Sequence, residues 1–276
     1  MGAVDAIGER ETPRRVAGER ASHRAFFAVS ALFFAASAAV TIVRCASMAA
    51  MGGMEMAGGW TMSMAWMRVP GQSWPGAAAS FLGGWVVMMA AMMLPSLVPM
   101  LRRYRQAVAG PGGTRLGLLT GLAGAGYFLV WAGFGMAAFA LGAGLAPVEM
   151  ERPALARSVP MAVGVVVLLA GSFQFTAWKG RHLACCREAP GRALPADAGT
   201  AWRHGLRLGL HCTCCCAGLM AALMGLGLMD LRAMAVVAAA ITIERLAPAG
   251  ELVARAIGGA GVAAGVLLTA RAAGLG

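Results

Sequence analysis

The chain has 276 residues, of which 59% are hydrophobic and 13% charged, and its mean hydropathy is +0.70. A soluble domain carries about 25% charged residues, so this composition excludes an ordinary water-soluble protein. Apolar runs long enough to cross a bilayer recur along it, which defines an all-α, polytopic transmembrane bundle of about six or seven spans. The net charge of +11 does not indicate nucleic acid: the basic residues lie between apolar runs, where the positive-inside rule accounts for them, and no basic patch is interleaved with aromatics.

Residues 1–24 are polar and of mixed charge, with Arg10, Arg14, Arg15, Arg20 and Arg24 opposed by Glu9, Glu11 and Glu19. This segment is expected to be a cytoplasmic, disordered tail, and residues 25–273 a single transmembrane bundle. The first span is 25–43. It resembles a signal peptide in its small residues, but its length and long charged lead favour an uncleaved helix.

Residues 47–80 form a linker rich in methionine and glycine. Thioethers bind Cu(I) or Ag(I), and Met54/Met56 and Met62/Met64 are spaced so that two sulfurs of an extended chain reach one ion, a possible external capture site. An interfacial segment anchored by Trp60, Trp66 and Trp74 is the equal and compatible alternative. The second span, 82–101, carries the i,i+4 pairs Met88/Met92 and Met89/Met93, with Pro95 and Pro99 expected to kink its exit. These methionines read as packing filler or as a relay for a soft metal.

The third span, 116–141, has Gly117, Gly121 and Gly124 at small-residue spacing for close helix packing. The fourth, 159–178, follows a short loop bearing Glu149, Glu151, Arg152 and Arg157, and brings His182, Cys185 and Cys186 to a membrane boundary. The fifth, 205–229, opens with His211, Cys212, Cys214, Cys215 and Cys216; two weaker runs follow at 233–249 and 252–271. With the N-terminus cytoplasmic, seventeen of the 23 Lys and Arg fall on the inner side, which puts the cysteine groups inside, where thiols stay reduced, and the methionine linker outside. The membrane expected is the inner, cytoplasmic one.

The cysteines set the chemistry. Cys212, Cys215 and Cys216 stand at i, i+3 and i+4 and share a helix face, while Cys214 points elsewhere. Thiolates suit Cu(I) and Zn(II), and several on one turn form half of a coordination shell. Spans four and five are joined by a cytoplasmic loop and are expected to lie side by side. If the fourth helix runs past Trp178, then His182 and Cys186 are an i,i+4 pair that can face the three cysteines. Because Cys212 lies about 7–8 Å deeper than Arg207 at helical rise, span four must then tilt or its extension fold back. His204 and His211 are spare candidates. Glu244 reads as a snorkelling interfacial carboxylate or, less simply, as a proton or ion site.

Three blocks carry a family resemblance: WVVMMAAMMLPSLVP at 85–99, FQFTAWKGRHLACCREAP at 173–190, and the segment 205–234 with Ile243-Glu244-Arg245. The chain resembles the predicted metal-binding integral membrane proteins grouped as domain of unknown function 2182, over most of residues 80–250. The family's paired cysteines fall here on His182 and Cys186, then on Cys212, Cys215 and Cys216. This chain departs in having His182 where the family usually has cysteine, Ala217 for tryptophan and Cys214 for glycine; histidine still ligates soft and borderline metals. The resemblance implies metal binding.

The leading expectation is therefore a Cu(I)-handling membrane protein, acting in transport, chaperoning or delivery, with a copper-donating or copper-accepting protein as partner. No G-x-x-x-x-G-K-[ST] motif points to nucleotide coupling, and no enzymatic activity is expected. A membrane thiol–disulfide oxidoreductase is a rival, although only Cys45 faces the oxidising side. A structural Zn(II) clamp in an assembly or scaffold protein is another.

Overall fold

Ser73, Thr176, Asp197 and Asp230 each accept a hydrogen bond from a backbone N–H in the first turn of a helix, the usual role of such residues at a helix start. The computed structural model describes residues 2–50, 52–63, 66–68, 71–108, 113–188 and 194–275, with side chains at residue 18 and from residue 20 onward. Its elements are α1 (Gly2–Ala50), β1 (Met54–Met56), β2 (Trp60–Met62), α2 (Trp74–Ala107), α3 (Gly113–Glu151), α4 (Pro153–Phe173), α5 (Ala177–Arg187), α6 (Ala198–Leu226), α7 (Leu231–Leu246) and α8 (Gly250–Ala272). Six helices among the described residues are long and apolar enough to cross a membrane: the part of α1 from Arg20, α2, α3 from Thr114, α4, α6 and α8. The protein is an all-α helical bundle of the multi-pass membrane type.

Several boundaries differ from the sequence reading. The expected disordered tail is helical and continuous with the first span; its richness in Ala, Arg and Glu, all good helix formers, accounts for this. Helix α2 runs through Pro95 and Pro99 to Ala107 rather than ending near them. The expected loop at Glu149–Arg157 shrinks to Arg152 alone, because Pro153 stands in the first turn of α4, where its missing N–H costs nothing. The linker is a short hairpin with Met54 opposite Met62 and Met56 opposite Trp60. It is docked on the bundle by Trp60 Nε1, which donates to Ala156 O at 2.8 Å.

Direction follows from the packing of α4. Gly164 faces Thr269 and Gly171 faces Gly261 and Val262, so α4 and α8 are antiparallel. Since α6 also runs antiparallel to α4, with Gly218 against Ala170 and Phe173 and Gly225 against Val163, α7 must return the chain to the end where α8 starts. At 16 residues α7 is short for a span, yet it makes that return.

The close approach of α3 and α6 rests on glycines other than those expected. A Cβ on Gly117, Gly121 or Gly124 would meet nothing within 4 Å, whereas one on Gly205 would stand 2.1 Å from Ala123 O and one on Gly126 2.9 Å from Trp202 O. Backbone cannot yield as a flexible side chain can. Gly205→Ala is therefore expected to lower stability by about 1–3 kcal/mol through overpacking, read as a lower melting temperature in fluorescence-detected size exclusion. Gly121→Ala is expected to be neutral or slightly stabilising; equal melting of the two variants would contradict this packing.

Candidate metal-handling site

Helix α4 ends at Phe173, and after the turn Gln174–Thr176 the chain restarts as α5, capped by the Thr176 side chain. His182 on α5 meets His211 on α6, and one turn later Cys186 meets Cys215. Over this turn α5 follows the sense of α6, opposite to α4. The extension of span four thus folds back, which brings Cys186 down to the level of the α6 cysteines.

The sulfurs form one cluster. Cys186 Sγ lies 3.9 Å from Cys215 Sγ, and Cys215 Sγ 3.6 Å from Cys216 Sγ. Cys212 stands one helical turn before Cys216 and lies 2.9 Å from the Tyr127 hydroxyl on α3. All four cysteines are at most 2% exposed. The separations far exceed the S–S bond length of about 2.05 Å, and all seven cysteines of the chain are free. They are of the size spanned by two sulfurs sharing one ion, given metal–sulfur bonds of about 2.3 Å.

Into this cluster α7 projects a guanidinium. Arg245 Nη2 donates to both Cys186 Sγ and Cys215 Sγ at 3.3 Å, and Nη1 donates to Ser96 Oγ on α2 at 3.1 Å. Beside it Lys179 Nζ donates to Glu244 Oε2 at 2.7 Å and to Cys215 O at 2.7 Å, both ionic side chains being 1% exposed. Glu244 is thus a buried ion-pair partner, not the snorkelling carboxylate expected. Buried charges require partners: Lys179 and Glu244 cancel, and Arg245 is left with a hydroxyl and two sulfurs. Arg187 braces the arrangement by donating to the carbonyls of Glu244, Ala247 and Pro248 at the end of α7.

Of the residues singled out in the sequence, Cys186, Cys212, Cys215 and Cys216 come together. Cys185 is exposed, and His182 turns to His211 with Nδ1 atoms 3.1 Å apart, away from the sulfurs. Cys214 is half-buried, and His204 stacks on Tyr104 with ring centres 4.9 Å apart. Met88, Met89, Met92 and Met93 are buried in the core, at most 4% exposed. On one α2 face, Met88 and Met92 precede Ser96 at successive i,i+4 steps. Met54 is exposed and Met62 is buried, while Met64 lies outside the described residues. Among the described residues, no three His, Cys, Asp or Glu side chains are disposed around a common point as ligands of an ion would be.

Sequence reasoning missed Arg245, Lys179 and Tyr127. For Lys179 and Arg245 the available signal was ionic residues at the ends of apolar runs, which in a membrane protein point inward as readily as to the interface.

Fold and site together define a multi-pass helical membrane protein with a buried thiol cluster held around a fixed cation. A family model described as "PpoB2: Copper chaperone" matches residues 82–268, which hold every residue of this cluster. The chain belongs to that family. No curated protein and no solved structure matches it.

Proposed function

We propose that the protein carries Cu(I) as cargo at the buried thiols, with Cys186 and Cys215 as the principal ligands and Cys212 and Cys216 beside them, and passes it to or from a copper-binding partner protein. One observation carries this reading: four cysteine sulfurs are buried around a guanidinium that, among the described residues, is hydrogen-bonded to two sulfurs and a hydroxyl and to no carboxylate. Two thiolates and one Cu(I) sum to one negative charge, which Arg245 offsets, so the loaded site is neutral where desolvated charge is costly. A sulfur accepting from a guanidinium does so best as the thiolate, the form that binds metal. The family description supports copper, and the three sequence blocks shared with domain of unknown function 2182 support metal binding by these positions.

In this reading the protein lies in the inner membrane with its N-terminus cytoplasmic, and the thiols face the reducing side. Met88, Met89, Met92 and Met93 relay the ion between the hairpin end and the thiols, and Met54, Met56, Met62 and Met64 gather it outside. No catalytic step is assigned; the protein acts by binding and transfer.

The test is competition on purified, reduced protein in detergent. Cu(I) held against a chromogenic chelator is expected to survive an excess of Zn(II), since soft sulfur ligands favour the monovalent ion. Displacement by Zn(II) would replace this reading by a structural zinc clamp. Leucine at Met54, Met56, Met62 and Met64 conserves volume; it is expected to lower copper uptake in cells while leaving the affinity of the thiols unchanged. Uptake equal to the parent would reduce the hairpin to an interfacial anchor.

A further inference from the structure

At the hairpin end, away from the thiol cluster, a cavity of about 720 Å³ opens between α1, α2, the hairpin and the α6–α7 turn. Cys45, Met48, Met54, Met67, Met88 and Met229 all line it. Cys45 Sγ and Met229 Sδ are 3.9 Å apart although 184 residues separate them in sequence. Cys45 is 3% exposed and lines this cavity. Arg44 lines the same space, its guanidinium filling the place over Gly84, where a Cβ would stand 2.6 Å away. The wall thus offers one thiol, five thioethers and two guanidinium groups, Arg44 beside the thiol and Arg68 next to Met67 in sequence.

This is the donor set of a soft monovalent ion. Thioethers are neutral and bind Cu(I) and Ag(I), whereas hard and borderline divalent ions prefer carboxylate and imidazole ligands, which are absent among the described residues of this wall. When the ion binds, the Cys45 thiol releases its proton to water, so that one positive ion and one thiolate make a neutral unit. Helix α2 runs from the cavity to the thiol cluster. Met88 lines it, and Ser96, eight residues further along the same face of α2, accepts from Arg245; at helical rise that distance is about 12 Å.

We infer that Cys45 and Met229, with Met48, Met54, Met67 and Met88 around them, form a second, separate site that takes Cu(I), or Ag(I) as its redox-inert analogue, at the hairpin end of the bundle. This rests on the reading of the chain as a Cu(I) carrier and adds to it a loading site built on Cys45 and Met229, which shares Met54 with the hairpin. Cys45, Met48, Met54 and Met67 lie before the region matched by the copper-chaperone family, so this site is argued from the present chain alone.

The experiment uses the full-length, reduced protein in detergent and Ag(I) as the probe. A small thiol reagent is applied with and without Ag(I), the modification of Cys45 is followed by peptide mass spectrometry, and the ions retained after desalting are counted. Ag(I) is expected to slow modification of Cys45 about tenfold, as sequestering a thiolate removes the nucleophile. It should do so equally in Cys186→Ser/Cys215→Ser, which retains fewer ions because the inner site is gone. Met48→Leu with Met229→Leu, neither of them in the relay, is expected to remove most of the protection of Cys45 and leave the inner ion in place. If Cys45 of the parent is unprotected while the inner ion is retained, the second site is overturned and the carrier reading stands. If neither site retains Ag(I), both fall. Full protection of Cys45 in the double leucine variant would show that the thioether 3.9 Å from Cys45 takes no part and overturn the site as built.

Discussion

Lys179→Met is expected to unfold much of the protein. The Lys179–Glu244 pair is buried on both sides at 2.7 Å, and among the described residues no other basic side chain is hydrogen-bonded to that carboxylate. Removing one member of a buried pair strands the other charge, at a cost of about 3–5 kcal/mol, a large fraction of the stability of a typical domain. Lys179 also donates to Cys215 O, so the loss loosens α5 against α6 where the sulfurs meet. Replacing both members, as in Lys179→Met/Glu244→Leu, is expected to recover most of the stability, because the desolvation cost vanishes along with the attraction. Melting followed by size exclusion compares the three proteins. A Lys179→Met variant as stable as the parent would mean that the pair is not buried in the folded chain.

The second large effect is expected at the sulfurs. Cys186→Ser with Cys215→Ser removes the two sulfurs that Arg245 touches and is expected to weaken Cu(I) binding by about a hundredfold or more, since a hydroxyl is a poor ligand for a soft ion. Cys214→Ser is the control: its side chain is only half-buried and is not hydrogen-bonded to the cluster, so little change is expected. Arg245→Met probes the charge balance from the other direction. Without the guanidinium, a Cu(I) bis-thiolate leaves a net negative charge buried, while Zn(II) with the same two thiolates is neutral. The variant is therefore expected to lose roughly tenfold in Cu(I) affinity, the worth of a charge-assisted hydrogen bond, and to gain in relative preference for Zn(II). Arg245→Lys keeps the charge but not the fork that reaches two sulfurs and Ser96 Oγ, so its affinity should fall between the two. Competition with a chelator for each ion measures both quantities. An unchanged Cu(I)-to-Zn(II) ratio in Arg245→Met would sink the counter-charge argument.

The bundle was legible in the sequence because the bilayer imposes a local rule: a spanning segment must be apolar along its own length, and six such helices stand where apolar runs are found. The shared face of Cys212, Cys215 and Cys216 was legible for a similar reason, since three positions within two turns are related by helical geometry alone. What the sequence could not decide is which way an isolated polar residue turns. Lys179, Glu244 and Arg245 stand at the ends of apolar runs, where each could equally reach outward to the interface; only the packing of α5, α6 and α7 aims them at one another. The break at Gln174–Thr176 is likewise local, but the direction taken after it is set by which helix α5 can pack against, and that choice moves His182 to His211 and Cys186 to Cys215. Cys45 and Met229 share no local pattern, being brought together from opposite ends of the chain. Spacing along one helix determines what faces one side, whereas contacts between distant helices depend on their rotation and order, which only the assembled bundle fixes.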